Sequence, residues 1–268
     1  MFRARSHSRS GFTLVQLLVV LIVLALLFAL LLPATQVLRI ASSQASALNN
    51  LKQMGLALHG ITGAYDSKAP PSVGKFPGPG GYNSTFWFHI LPYIEQDNVY
   101  KNAIVKTAPG GDISTKLDTP VLVYRSPADA TNPGKTNQIS YASNLSVFGN
   151  MTRNYIAILN QKGLSNTIIV VERSSINEGK DKVATMTWPD TRELITHISG
   201  PKSVLYTFPE GKEPTAGPID AAHCLHRTGA ALLMGDGWAF VTSRKPTTLQ
   251  NFAIAMDAAS NKAPMGDW

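Results

Sequence analysis

Residues 12–32 read FTLVQLLVVLIVLALLFALLL, with Thr13 and Gln16 the only polar side chains. At ~1.5 Å rise per residue a helix of this length spans roughly 31 Å, close to the ~30 Å hydrocarbon core of a bilayer. A secretory apolar region usually holds about 7–15 residues and ends in small residues where it is cut. This run is longer and leads into Leu32-Pro33-Ala34, so a retained membrane span is the reading. Arg3, Arg5 and Arg9 precede it, and only Arg39 and Lys52 follow closely. The positive-inside rule then places residues 1–11 in the cytoplasm and the bulk of the chain periplasmic or extracellular, a single pass of the inner membrane. Gln16 stands out in this setting, because an amide buried in lipid without a partner costs ~1–3 kcal/mol.

The apolar pattern continues past the span at Val37, Ala41, Ala45, Leu48, Leu51, Met54, Leu58 and Ile61. Spacings of three and four predict one helix face extending to about residue 64, so 33–64 is the amphipathic half of a single long helix. Pro33, which lacks a backbone donor, should bend it.

Beyond the helix the chain changes character. Residues 65–86 contain Pro70-Pro71, Gly74 and Pro77-Gly78-Pro79-Gly80-Gly81, and read as a linker. From 87 to 268 short β-branched and aromatic runs recur between turn residues. Strands are expected at 120–124, 155–159, 167–171, 203–208, 230–234 and 238–241, and helices at 90–100 and 247–258. The fold class that follows is α+β, a long helix packed on an antiparallel β-rich domain. The formal charge of +7 belongs to one end, since no Asp or Glu occurs before Asp66. The rest is nearly balanced, which argues against nucleic acid as a partner. Cys224 is the only cysteine, which excludes an intramolecular disulfide and a cysteine-based zinc site.

Ser10-Gly11-Phe12-Thr13-Leu14-Val15-Gln16, with its basic leader and apolar run, resembles the cleavage and methylation motif of type IV prepilins and type II secretion pseudopilins. The resemblance implies that a prepilin peptidase cuts after Gly11 and leaves an N-methylated Phe12. It also implies that the helix, bent at Pro33, packs against itself or other pilin-like subunits. That family usually carries Glu where this chain has Gln16, and the carboxylate neutralises the terminal amine of a neighbour. An amide forms hydrogen bonds but cancels no charge, so Gln16 points to a minor or tip subunit.

A second set of segments resembles a large pilin-like family of unassigned role: Asn49-Asn50-Leu51-Lys52-Gln53, Gly55-Leu56-Ala57-Leu58-His59, Leu91–Gln96, Ser165–Ile168, and His226 nine residues before Asp236-Gly237. Where that family often has cysteines, this chain has Ala47 and Ser126, which is what a lost disulfide would look like.

Candidate chemistry is sparse. Asp220, His223, His226 and Asp236, with His197 upstream, form the most enzyme-like set. The stretch from Gly229 to Trp238 reads as strand, Asp-Gly turn, strand, which separates His226 from Asp236 and gives Asp236 and Gly237 a turn-forming role. His226 is then expected to pack or hydrogen-bond. Glu172 reads as the solvated end of a strand, and Cys224 as a buried thiol. Asp129, Asn132 and Asn137 offer loop oxygens for calcium, but with one charge and no regular spacing. No cofactor or metal is expected. The sequence therefore predicts a non-enzymatic pilin-like subunit. A monomeric membrane-anchored binding domain is the alternative, and an anchored metal-dependent hydrolase a weaker one.

Overall fold

The computed structural model describes residues 13–113, 118–149, 153–178, 183–185, 187, 197–198, 204–207, 217–218, 221–243 and 246–258. Its first element, α1 (Leu14–Ala64), is one helix of 51 residues. Two reciprocal bonds close its start: Thr13 Oγ1 accepts from the Gln16 N–H at 3.3 Å, and Gln16 Oε1 accepts from the Thr13 N–H at 3.0 Å. This is a capping box, which serves backbone donors that a helix start otherwise leaves bare. The helix is continuous through Pro33, and the Thr35 hydroxyl bonds the Leu32 carbonyl at 2.8 Å.

The chain divides into two units after Ser42. In the first, every large apolar side chain from Leu14 to Ile40 is exposed. In the second, Ala47, Leu51, Met54, Leu58 and Ile61 of α1 are wholly buried. The expected stripe is thus corrected at its beginning: Val37, Ala41 and Ala45 are exposed, and the core-facing run starts at Ala47. Gln44, donating to the Thr228 hydroxyl at 2.9 Å, marks the polar rim where the body begins to cover the helix.

After α1 come β1 (Lys68–Ala69), β2 (Val73–Phe76) and β3 (Tyr82–Thr85), then α2 (Phe86–His89) and α3 (Asp97–Val105). Residues 65–86 are therefore not a free linker. β2 and β3 pair antiparallel from Val73–Thr85 to Phe76–Tyr82; Pro77-Gly78-Pro79-Gly80-Gly81 forms the connection between them, while Gly74 lies within β2. Next follow β4 (Tyr141–Asn144), α4 (Leu145–Phe148), β5 (Arg153–Asn154), α5 (Tyr155–Asn160) and β6 (Ile168–Glu172). The remainder is β7 (Ile176–Glu178), β8 (Val183–Thr185), β9 (His197–Ile198), β10 (Val204–Thr207), β11 (Gly217–Pro218), β12 (Ala221–Cys224), β13 (Ala231–Met234), β14 (Ala239–Val241) and α6 (Pro246–Met256). This is the α+β class.

Three expected elements differ. Pro120–Tyr124 is not a strand; a 3₁₀ turn occupies Leu122–Tyr124. Tyr155–Leu159 lies in helix α5, because the Asn154 side chain accepts from the Ala157 N–H at 2.9 Å and caps a helical turn. The helix expected over Ile90–Tyr100 is broken into a 3₁₀ turn and α3 by Glu95, which is left-handed at φ 62°.

A five-stranded sheet in the order β14-β13-β6-β4-β9 organises the body. Its strands pair antiparallel except β4 with β9. The pleat of β13 sends Ala231 and Leu233 into the core that contains α1, and Leu232 and Met234 into the core that contains Phe252, Ala255 and Met256 of α6. The register slips between Leu233, opposite Val170, and Met234, opposite Ile168. The extra residue, Ile169, is a bulge, so Ile169 and Val170 both face the α1 side while Ile168 and Val171 face α6. The end of α6 is held from outside. Asn144 Nδ2 donates to the Met256 carbonyl at 2.8 Å, and Lys162 Nζ donates to the carbonyls of Ile254 and Asp257.

Candidate functional site

Glu172 ends β6, yet its side chain is completely buried, contrary to the solvated position expected. β6 is a central strand, so its last residue is covered by neighbours on both sides. A carboxylate there must be supplied with donors, since an unpaired buried charge is strongly unfavourable. Three are in place. Ser126 Oγ donates to Oε1, the Ala231 N–H donates to Oε2 at 3.1 Å, and His226 Nε2 stands 3.2 Å from Oε2. His226 is held for this contact by a tight turn, in which its N–H bonds the Gly229 carbonyl at 3.1 Å and the Gly229 N–H returns to the His226 carbonyl at 3.2 Å.

The network continues toward α1. Asn50 Nδ2 donates to the Arg125 carbonyl at 2.8 Å and reaches the Tyr141 hydroxyl at 3.4 Å. Burial, reinforced by the Glu172 charge, pushes the Tyr141 phenol well above its usual range. Asn50 lies one turn from the buried Ala47, so the helix turn bearing Ala47 rests on the segment bearing Ser126.

A second carboxylate, Asp129, is buried nearby. It accepts from the Thr131 N–H at 2.9 Å, the Ser140 hydroxyl at 2.7 Å and the Ser175 N–H at 2.8 Å, as well as from the Thr131 hydroxyl. Burial pushes its pKa above the ordinary carboxylate range, and these donors oppose the rise. Asn132 is likewise engaged, accepting from the Gly134 N–H at 2.9 Å and donating to Ser140 Oγ at 3.0 Å. Asn137 is tied elsewhere, through its N–H to Asp118 at 3.2 Å. The side chains of Asp129 and Asn132, two of the three loop residues considered for calcium, are therefore engaged within the fold.

Of the enzyme-like set, the described members His223, His226 and Asp236 are engaged separately. His223 lies in β12, and its Nδ1 accepts from the Ser174 N–H at 2.9 Å, while His226 faces Glu172. Asp220 and the side chain of His197 lie outside the described residues. Among the described residues, no three His, Cys, Asp or Glu side chains group as metal ligands. Cys224 is buried in the α6-side core and takes part in no disulfide.

Asp236 and Gly237 sit at the opposite end of β13 from His226 and form the expected turn. The Gly237 N–H bonds the Met234 carbonyl at 3.0 Å, Asp236 Oδ1 accepts from the Trp238 N–H at 2.9 Å, and Gly237 has φ +87°. Around it, Tyr155 donates its hydroxyl to the Gly235 carbonyl at 3.0 Å, and the Gly235 N–H bonds the Thr167 carbonyl at 2.9 Å. The turn seats on α1. A Cβ at Gly55 would come within 3.2 Å of Leu233 Cδ1 and 3.5 Å of Gly237 Cα, and one at Gly237 within 3.3 Å of His59 Nε2. Thus Gly55 and His59 of α1 meet Gly237, which joins two distant segments singled out in the sequence.

The model of a family described as Protein of unknown function (DUF1559) matches residues 36–161. No curated protein and no solved structure matches the chain. The matched region begins within α1 and ends after α5, just under half of the chain. It includes Asn49–His59 and Leu91–Gln96, together with Ser126 and Asp129, but stops short of β6 and the 226–237 segment.

Of the sequence-derived site residues, Gly11 and Phe12 lie outside the described residues, and Gln16 and Pro33 lie in α1. Ser126, Tyr141, Asn50 and Asp129 form the buried network without having been expected there. No local signal marks them: Ser126 stands between Arg125 and Pro127, and Asn50 follows Asn49.

Proposed function

We propose that the chain is a non-enzymatic pilin-like subunit of a type IV pilus or type II secretion-like assembly, with a minor or tip role. A prepilin peptidase would release residues 1–11 by cutting after Gly11, and Phe12 would become the methylated terminus. The observation that carries this reading is the make-up of α1: one helix with an apolar exposed first part and a second part built into the core of an α+β body. Its apolar stretch is long enough to cross a bilayer. In this arrangement the first part is available to lipid and to neighbouring helices, while the body is presented outside the cytoplasm. The buried polar groups favour a structural role. Glu172 and Asp129 are supplied with donors from within the fold, and His226 and Asp236 stand at opposite ends of β13.

In-membrane crosslinking tests the reading. Ladders of this chain with itself or other pilin-like subunits, lost when residues 12–32 are replaced by an unrelated span, are expected. A monomer under all conditions would instead favour the membrane-anchored binding domain.

A further inference from the structure

We propose that Gln16 is an internal cap of the membrane helix: its side-chain carbonyl is committed to the Thr13 amide of its own chain and so is taken up within the first turn rather than offered to a partner subunit. This rests on the reading of residues 12–32 as membrane-embedded.

The argument begins with what a bilayer demands. Backbone donors in hydrocarbon find no water, and the start of a helix has four without an intrahelical acceptor. The first intrahelical bond here runs from the Leu17 N–H to the Thr13 carbonyl at 3.2 Å. Of the donors before it, the Thr13 N–H is taken by Gln16 Oε1 at 3.0 Å and the Gln16 N–H by Thr13 Oγ1 at 3.3 Å. The flanking side chains Leu14, Val15, Leu17 and Leu18 are apolar and offer no acceptor. Thr13 and Gln16 are also the only polar side chains of the entire 12–32 run, and each is the partner of the other. A capping box accepts Glu or Gln at this position, and the amide performs the task without placing a charge in lipid. Gln16 is thereby a positioning residue for the first turn, and its acceptor is occupied within the chain.

Residue-resolved hydrogen exchange of the full chain in phospholipid vesicles tests this, after flotation has shown that the chain is bound. Gln16→Leu is expected to speed exchange at the Thr13 amide by about tenfold, the effect of one lost hydrogen bond of ordinary strength. Thr13→Val should do the same at the Gln16 amide. Gln16→Glu should keep Thr13 protected, because a carboxylate oxygen accepts in the same place. Unchanged Thr13 exchange in Gln16→Leu would overturn the cap, since a larger apolar side chain cannot itself protect by hydrogen bonding. Should a variant fail to insert, the wild-type chain decides alone: a Thr13 amide that exchanges at the rate of unstructured peptide overturns the proposal. Failure of the wild-type chain to float would overturn the membrane reading itself, a separate result.

Discussion

Removing the Glu172 carboxylate would leave the Ala231 N–H and the Ser126 hydroxyl without that acceptor in the interior and take away the group that faces His226 Nε2. Breaking a buried charged contact from one side typically costs ~3–5 kcal/mol. Glu172→Ala should lower stability by about that amount in urea unfolding of the detergent-solubilised chain, and Ser126→Ala by about 1–3 kcal/mol. A loss under ~1 kcal/mol for Glu172→Ala would show the carboxylate to be peripheral. A second residue sets an acid limit. Burial holds the His89 imidazole at about 4, below its ordinary 6.5, while Nε2 stays 3.0 Å from the Gly74 carbonyl. The unfolded chain takes up the proton near pH 6.5 and the folded chain only near pH 4, so stability falls as pH drops through that window. The full loss is about 3 kcal/mol, and His89→Gln should flatten the slope between pH 6.5 and 4. Neither role was legible locally. Glu172 follows four apolar strand residues and looks like a strand end, while its donors come from Ser126 and Ala231, 46 and 59 residues away.

At the scale of elements, the Asp-Gly turn was legible because its requirement is local: Gly237 supplies a positive φ that few residues adopt. β6, β13 and β14 were legible for a similar reason, as continuous apolar runs bounded by turn residues. α5 was not. Tyr155–Leu159 has the composition of a strand, and only the Asn154 cap and the packing of Tyr155 and Leu159 make it helical. The β2–β3 hairpin was obscured by the prolines and glycines that form its connection. The junction of turn and helix is open to test. Gly237→Ala should cost about 1–3 kcal/mol through its left-handed backbone. Gly55→Leu should cost a similar ~1–3 kcal/mol by overpacking against Leu233 and Gly237. Thermal unfolding of each variant checks this; a neutral Gly55→Leu would mean that the turn does not seat on α1. The far end of the sheet has its own clasp, and Lys162→Met should speed amide exchange in the last turn of α6, whose carbonyls Lys162 bonds.

The molecule as a whole combines a helix whose first part has no cover with a body that owns its second part. The boundary after Ser42 predicts where it can be cut. A chain beginning at Ser43 should keep its secondary structure by circular dichroism and remain in solution without detergent. One beginning at Leu58 should not fold, because Ala47, Leu51 and Met54 are core residues. The first part of α1 was the most legible portion of all, since length and hydropathy suffice to show a helix long and apolar enough to cross a bilayer. The body was legible as a class but not in its connections, which depend on contacts between residues far apart in the chain. The central claim, a pilin-like subunit matured at its amino terminus, is tested most directly by the intact mass of the protein isolated from its native membrane. The account predicts a chain that lacks residues 1–11 and carries one methyl group on Phe12. A chain that still begins at Met1, or one that has lost the whole of residues 12–32, would contradict it.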